Sequence, residues 1–154
     1  MFNGLRVGMS IAKGLAFSAS LPLIGVPTLD AVAQPHDACG LPIVAVLQAG
    51  RGRLIWSKYW AGTSSEPRNG TASELAQEIV QAGEMVLLCG EVSQEVRVEV
   101  AQSLHARIGW PLSGMRRAAC VAYLGWLRFR LGRVDDSVAL EPTYLHAASP
   151  ISKP

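Results

Sequence analysis

A chain of 154 residues has room for one domain or two small lobes and can bury about 65 to 70% of its unfolded surface. With 49% hydrophobic and 17% charged residues it is far from disordered compositions, and its net charge of +2 excludes a strong field for drawing in nucleic acid without a partner. Its three cysteines, Cys39, Cys89 and Cys120, exclude a complete disulfide framework and form no C-x-x-C metal pair; their apolar or small-residue surroundings predict buried thiols in a reducing compartment.

Leu5 to Ala19 reads as a helix without proline, with Leu5, Met9, Ala12 and Ala16 along one stripe and Val7, Ile11, Leu15 and Ser18 along another. A helix apolar on two sides needs two neighbours. The same stretch imitates a secretory leader: Arg6 and Lys13 precede an uncharged run from Gly14 to Leu29, and Ala31-Val32-Ala33 has the form of a cleavage site. A secreted small binding domain cleaved after Ala33 is therefore the alternative reading. Lys13 comes late for a leader, Pro22 and Gly25 interrupt the run, and Asp30 sits beside the cleavage site. The run is also too short and broken to span a membrane.

Pro22 to Val26, bounded by Pro and Gly, predicts a short buried strand, and Thr28 can cap a helix over Leu29 to Ala33. Residues 34–40 read as a connector. Ile43 to Leu47 and Leu54 to Trp60 predict two strands joined through Ala49-Gly50-Arg51-Gly52, whose glycines permit the positive φ of a tight hairpin. Thr71-Ala72-Ser73-Glu74 is a capping-box pattern before Leu75, Ile79 and Val80, with Gly83 as the stop. Met85 to Cys89 is the next buried strand. Val92 to His105 alternates Val with charged residues and fits a helix from about Gln94. Ser113 can cap a helix to Leu131 that Gly132 ends, and Leu140 to Pro154 forms an arm and a loose end.

The chemistry-bearing residues are scattered. His36, His105 and His146 have neither helical ligand spacing nor nearby carboxylates, which points to surface or structural histidines and no metal site. No nucleophile elbow, Walker loop or dinucleotide-binding glycine pattern follows a predicted strand, so neither catalytic nor cofactor-binding residues are assigned. Asp135-Asp136 reads as turn chemistry. Asn69-Gly70-Thr71 matches the short acceptor pattern for N-glycosylation, which matters only in a secreted chain. Arg116, Arg117, Arg128, Arg130 and Arg133 read as a solvated helix face, since no aromatic platform or net charge accompanies them.

Phe2-Asn3-Gly4-Leu5-Arg6-Val7-Gly8, continuing through Ala12-Lys13-Gly14-Leu15-Ala16 to the stretch Leu21 to Leu29, resembles the G-S-F-T-G-L-R-V-G, A-K-G-L-A and P-L-x-G-V-x-T-L signature of the YeaZ-like, glycoprotease-like TsaB family. Leu140-Glu141-Pro142-Thr143-Tyr144-Leu145 resembles that family's E-P-x-Y-L close. The likeness is strong at both ends and weak between Gly62 and Gly132. It implies an actin-like ATPase (ribonuclease H-like) α/β fold in an N-terminally truncated member, with the first lobe incomplete and the second largely intact. Residues 1–35 would be the remnant of the first lobe and 41–154 the second lobe with its C-terminal arm.

The resemblance further implies a cytoplasmic, non-catalytic scaffold in threonylcarbamoyladenosine modification of tRNA. Its partners would be a TsaD-like catalytic subunit, a TsaE-like ATPase and, in a homodimer, a second copy; tRNA would be met only indirectly and no membrane would be involved. Leu5, Val7, Gly8, Ile11, Ala12 and Leu15 on the amino-terminal helix are the expected partner interface. By the same resemblance, Leu47 to Gly52 falls where active relatives place a phosphate loop with an aspartate. Gln48 stands there instead, and a neutral amide cannot hold a magnesium-bound phosphate by charge.

Overall fold

The computed structural model describes residues 2–101, 103–110 and 115–144. The expected Ser113 cap, His146 and the arm beyond Tyr144 lie outside them. Contacts divide the chain into two compact units, residues 1–27 with 118–144 and residues 28–117.

The larger unit is built on a mixed sheet. Its strands are β1 (Ile43–Gly50), β2 (Arg53–Trp60), β3 (Thr63–Ser64), β4 (Arg68–Gly70), β5 (Val86–Gly90) and β6 (Ala106–Ile108). They run in the order β3-β2-β1-β5-β6, with β4 also on β2. β1 and β2 form the expected antiparallel hairpin, with Val46 opposite Trp56, and Gly50, Arg51 and Gly52 all take positive φ in its turn. β5 pairs parallel to β1, and β6 parallel to β5.

β1 is apolar on consecutive residues because both of its faces are covered. Val44 and Val46 face Leu75 and Ile79 of α3 (Ala72–Ala82) and Val96 and Val100 of α4 (Gln94–Ala101) in one core cluster. Ile43 and Ala45 face Leu29, Val32 and Ala33 of α2 (Thr28–Ala33) in a second, which also takes Cys89 from β5. A 3-10 turn, Gln34–His36, follows α2. The capping box is complete: the Glu74 N–H donates to the Thr71 hydroxyl, the Thr71 N–H donates to the Glu74 carboxylate, and Gly83 closes α3 in the left-handed region.

Gly90 ends β5 at φ 98°, and a Cβ there would overlap the Val46 carbonyl oxygen across the β1–β5 pairing. Only glycine brings the two strand ends this close.

The smaller unit contains α1 (Phe2–Ser18) and α5 (Ala118–Arg130), whose sequence lies within the stretch expected for the second lobe. Three expectations need correction. Pro22 is exposed and residues 23–26 are half-exposed, so the segment is not a buried strand; it makes one isolated bridge, Leu23 to Asp135. α5 starts at Ala118, with Met115 outside it and exposed, because Arg116 turns to an acidic partner in the larger unit. Cys39 is exposed, its Sγ donating to the Leu41 carbonyl 3.4 Å away, while Cys89 and Cys120 are buried.

Candidate functional site

Helical geometry gives α1 its two stripes, and burial tells them apart. Ala16 is buried, and Met9, Ala12 and Lys13 are half-buried, so the Met9–Ala12–Ala16 side packs inward. Val7, Ile11 and Leu15 recur at intervals of four and are 57, 59 and 65% exposed. Leu5 is exposed beside them, as is Gly8. Of the six residues expected at an interface, Leu5, Val7, Gly8, Ile11 and Leu15 therefore lie on the outer side of α1, and Ala12 lies toward the inner side.

Gly4, Gly8 and Gly14 have nothing within 4 Å of where a Cβ would stand. Glycine inside a helix costs about 0.5–1 kcal/mol relative to alanine, and no close approach among the described residues accounts for it here. Lys13 extends its ammonium to the Val138 carbonyl at 3.1 Å, and the Arg6 guanidinium lies 5.7 Å from the Tyr144 ring centre. These contacts tie the polar edge of α1 to the carboxyl-terminal segment of the same unit.

α5 also presents apolar surface. Cys120 is buried, while Tyr123, Trp126 and Phe129 are exposed, with the Trp126 and Phe129 rings 5.7 Å apart and Arg130 over Trp126. The arginines do not form the uniform solvated face expected. Arg128 donates to the Gly25 carbonyl and pairs with Asp135, which also accepts the Gly25 N–H at 2.8 Å. Asp135 is thus a fastening within the smaller unit. Asp136, accepting the Val138 N–H at 2.8 Å, is the turn residue expected.

At the β1–β2 turn, the Gln48 N–H donates to the Glu91 carboxylate at 2.8 Å, the Gln48 side-chain amide donates to the Glu91 carbonyl at 3.2 Å, and Arg116 pairs with the same carboxylate. Residue Glu91 had drawn no attention in the sequence; its position one residue after the close-approach Gly90 is the signal that marks it. The chain's own carboxylate faces the donors that an anionic ligand would use.

The remaining polar clusters are structural. Trp56 Nε1 donates to Glu78, which pairs with Arg68. Tyr59 donates to Asp30 at 2.8 Å, and burial together with that carboxylate raises the phenol above its ordinary range. Burial also pushes the Cys89 thiol up to about 12, with Cys39 adding a smaller electrostatic contribution. Among the described residues no group of three His, Cys, Asp or Glu side chains could hold a metal ion. A groove of about 370 Å³ between α3 and α4 is lined by Ser73, Ala76, Gln77, Val80, Gln81, Glu99 and Ser103, without convergent charge. Among the described residues no helix is long and apolar enough to cross a membrane.

Residues 1–78 match the family model described as TsaD, tRNA N6-adenosine threonylcarbamoyltransferase. The tRNA threonylcarbamoyladenosine biosynthesis protein TsaB of Escherichia coli strain K12 is 36% identical over 74 residues, covering 42% of this chain and 32% of that protein. The TsaB protein of Haemophilus influenzae strain Rd is 41% identical over 61 residues, covering 37% of this chain and 25% of that protein. The matches thus span no more than about a third of these relatives' length.

Two solved Pseudomonas aeruginosa structures share the fold. One is YeaZ, with a TM-score of 0.72 at 20% identity, covering 94% of this chain and 70% of that one. The other is described as an uncharacterized protein with similarity to peptidase YeaZ, with a TM-score of 0.72 at 17% identity, covering 95% of this chain and 69% of that one. At such identities the likeness is one of fold: mixed α/β, of the actin-like ATPase type.

Proposed function

The chain belongs to the family described as TsaD, tRNA N6-adenosine threonylcarbamoyltransferase, as a TsaB- and YeaZ-like member, and on that premise we propose that it is a non-catalytic scaffold in threonylcarbamoyladenosine biosynthesis. It binds a TsaD-like catalytic subunit through the outer face of α1 and supports transfer of the threonylcarbamoyl group to adenosine of tRNA.

The observation that carries this reading is the exposed Val7–Ile11–Leu15 stripe, flanked by glycines that no described residue packs against and lying in the segment matched to the family. Small residues let a second helix approach closely, and a clean apolar stripe supplies the buried area that an interface core needs. The Glu91 carboxylate at the β1–β2 turn supports a subunit that leaves phosphate chemistry to its partner. In the same reading, residues 1–35 come from a first lobe and the stretch from residue 41 onward from a second. The assembly is cytoplasmic, includes a TsaE-like ATPase, and meets tRNA only through its other subunits; a homodimer uses the same apolar face of α1.

The rival reading, a secreted domain cleaved after Ala33, loses support from packing. Leu29, Val32 and Ala33 form part of a core cluster with Ile43, Ala45 and Cys89, and cleavage would strip that sheet face. Reconstitution tests the proposal: purified TsaD-like and TsaE-like subunits of the same source are assayed for threonylcarbamoyl transfer to tRNA with and without the chain. The chain alone should be inactive and should raise the rate of the mixture. Transfer by the chain alone, or a mixture indifferent to it, would refute the scaffold role.

A further inference from the structure

We propose that the outward face of α5 docks an acidic amphipathic helix of a partner protein, in addition to whatever the α1 stripe binds. Cys120, Leu124 and Arg128, at intervals of four, turn inward: the first is buried and the other two are half-buried. The opposite arc of the same helix carries Ala119, Ala122, Tyr123, Trp126, Phe129 and Arg130, all exposed. Their recurrence at steps of three and four is that of a helical face that meets another element. Tyr123 and Trp126 are 50 and 54% exposed. Aromatic rings and arginine are the side chains that anchor protein interfaces. The small Ala119 and Ala122 beside the rings let a second helix come close.

Charge selects the occupant. Between Met115 and Val134 the chain has five arginines and no acidic residue. Arg116 and Arg128 pair with Glu91 and Asp135. Arg130 and Arg133 are exposed and form no ion pair among the described residues. The end of α5 holds them in place: the Arg133 N–H donates to the Arg128 carbonyl at 3.0 Å and the Gly132 N–H to the Phe129 carbonyl at 2.9 Å, with Gly132 at φ 69°. This is a Schellman closure, which fixes the chain where it leaves the helix. Two cations thus border the aromatic arc, and carboxylates on an incoming helix complement them.

Other occupants fit less well. A second copy docking by the same face brings no carboxylate to these arginines. RNA draws its affinity from many neutralised phosphates and from bases stacked on open rings. Here Arg130 already lies over the Trp126 ring, and Phe129 is tilted against it at 5.7 Å.

The test uses the full chain and a fluorescein-labelled, capped peptide of three Leu-Glu-Ala-Leu-Glu-Ala-Ala heptads as the probe, with anisotropy as the readout. The chain should bind this peptide, and should bind the version with every Glu replaced by Gln about ten-fold or more weakly. Trp126→Ala should weaken the acidic peptide by about ten-fold or more. Arg130→Glu combined with Arg133→Glu should lose the acidic peptide and gain the version with every Glu replaced by Lys, a rescue that an unfolded variant cannot give. The proposal is overturned if the parent chain does not bind the acidic peptide, if the Gln version or Trp126→Ala binds as tightly, or if the double variant fails to exchange its preference. Displacement of the peptide by a short oligouridylate at lower concentration than by unlabelled peptide would assign the face to RNA and overturn it as well.

Discussion

Gly25 and Asp135 are 110 positions apart in sequence and joined by a 2.8 Å hydrogen bond from the glycine N–H to the carboxylate. The same carboxylate pairs with Arg128, whose guanidinium also reaches the Gly25 carbonyl. One acidic side chain thereby fixes both directions of the Gly25 backbone within the smaller unit. Asp135→Ala should lower stability by about 1 kcal/mol, the net worth of a partly exposed hydrogen bond discounted for solvent screening. Urea unfolding followed by tryptophan fluorescence reads this out. An unchanged midpoint would show that the fastening contributes nothing.

Gly8 and Gly90 should respond to alanine in opposite directions. Gly8→Ala adds a methyl group into open space on a helix and should stabilise the isolated chain by about 0.5–1 kcal/mol. The same substitution should weaken binding of the TsaD-like subunit, because the methyl occupies the approach that glycine leaves free. Gly90→Ala meets the Val46 carbonyl oxygen at a positive φ and should cost about 3 kcal/mol or more, seen as loss of soluble folded protein. Equal tolerance at both sites would contradict the account of the β1–β5 approach.

The capping box predicts an acid limb. Its hydrogen bonds from the Thr71 backbone and hydroxyl, in that order, hold the Glu74 carboxyl below the ordinary glutamate range. Because the folded state depresses the pKa, the contribution is fully present above the unfolded value of about 4.3 and is lost as pH falls through the folded value. Glu74→Gln, which removes the titrating group, should show a shallower decline in acid than the parent, whereas Thr71→Ala keeps the backbone N–H that contributes most and should flatten it less. Thermal melts between neutral pH and pH 3 would show it, and parallel curves would count against the box.

Thiol labelling separates the cysteines. Exposed Cys39 should react quickly with a disulfide reagent in the native chain. Buried Cys89, with its thiol pushed up to about 12, should react only on unfolding, as should buried Cys120. Cys39→Ser should abolish the fast phase. Rapid labelling of the Cys39→Ser protein would contradict the burial of Cys89 and Cys120.

Elements defined by local chemistry were legible from sequence. Thr71 and Glu74 announced α3, Gly50 and Gly52 the hairpin, and the apolar run Ile43 to Leu47 the strand β1. What escaped depends on distant partners. Ala106-Arg107-Ile108 is too short to show a period and becomes β6 through parallel pairing with β5. Arg68-Asn69-Gly70 has no strand propensity and is held to β2, with Arg53 donating to the Asn69 side chain at 2.6 Å. Pro22 to Val26 had the composition of a buried strand but found only the Leu23–Asp135 bridge.

The candidate face was half legible. Periodicity placed two apolar stripes on α1, yet only burial showed that Met9, Ala12 and Ala16 turn inward while Val7, Ile11 and Leu15 stay out. Glu91 was invisible because its importance arises from the meeting of Gln48 and Arg116.

Isothermal titration of the TsaD-like subunit with the chain and with Ile11→Asp addresses the central claim most directly. Ile11 is 59% exposed, so the substitution should leave the fold intact by circular dichroism. The parent chain should form a defined complex, and the aspartate, an unpaired charge in an apolar interface, should weaken it by about a hundred-fold or more. An equally tight complex with Ile11→Asp, or no complex with the parent, would contradict a docking role for α1.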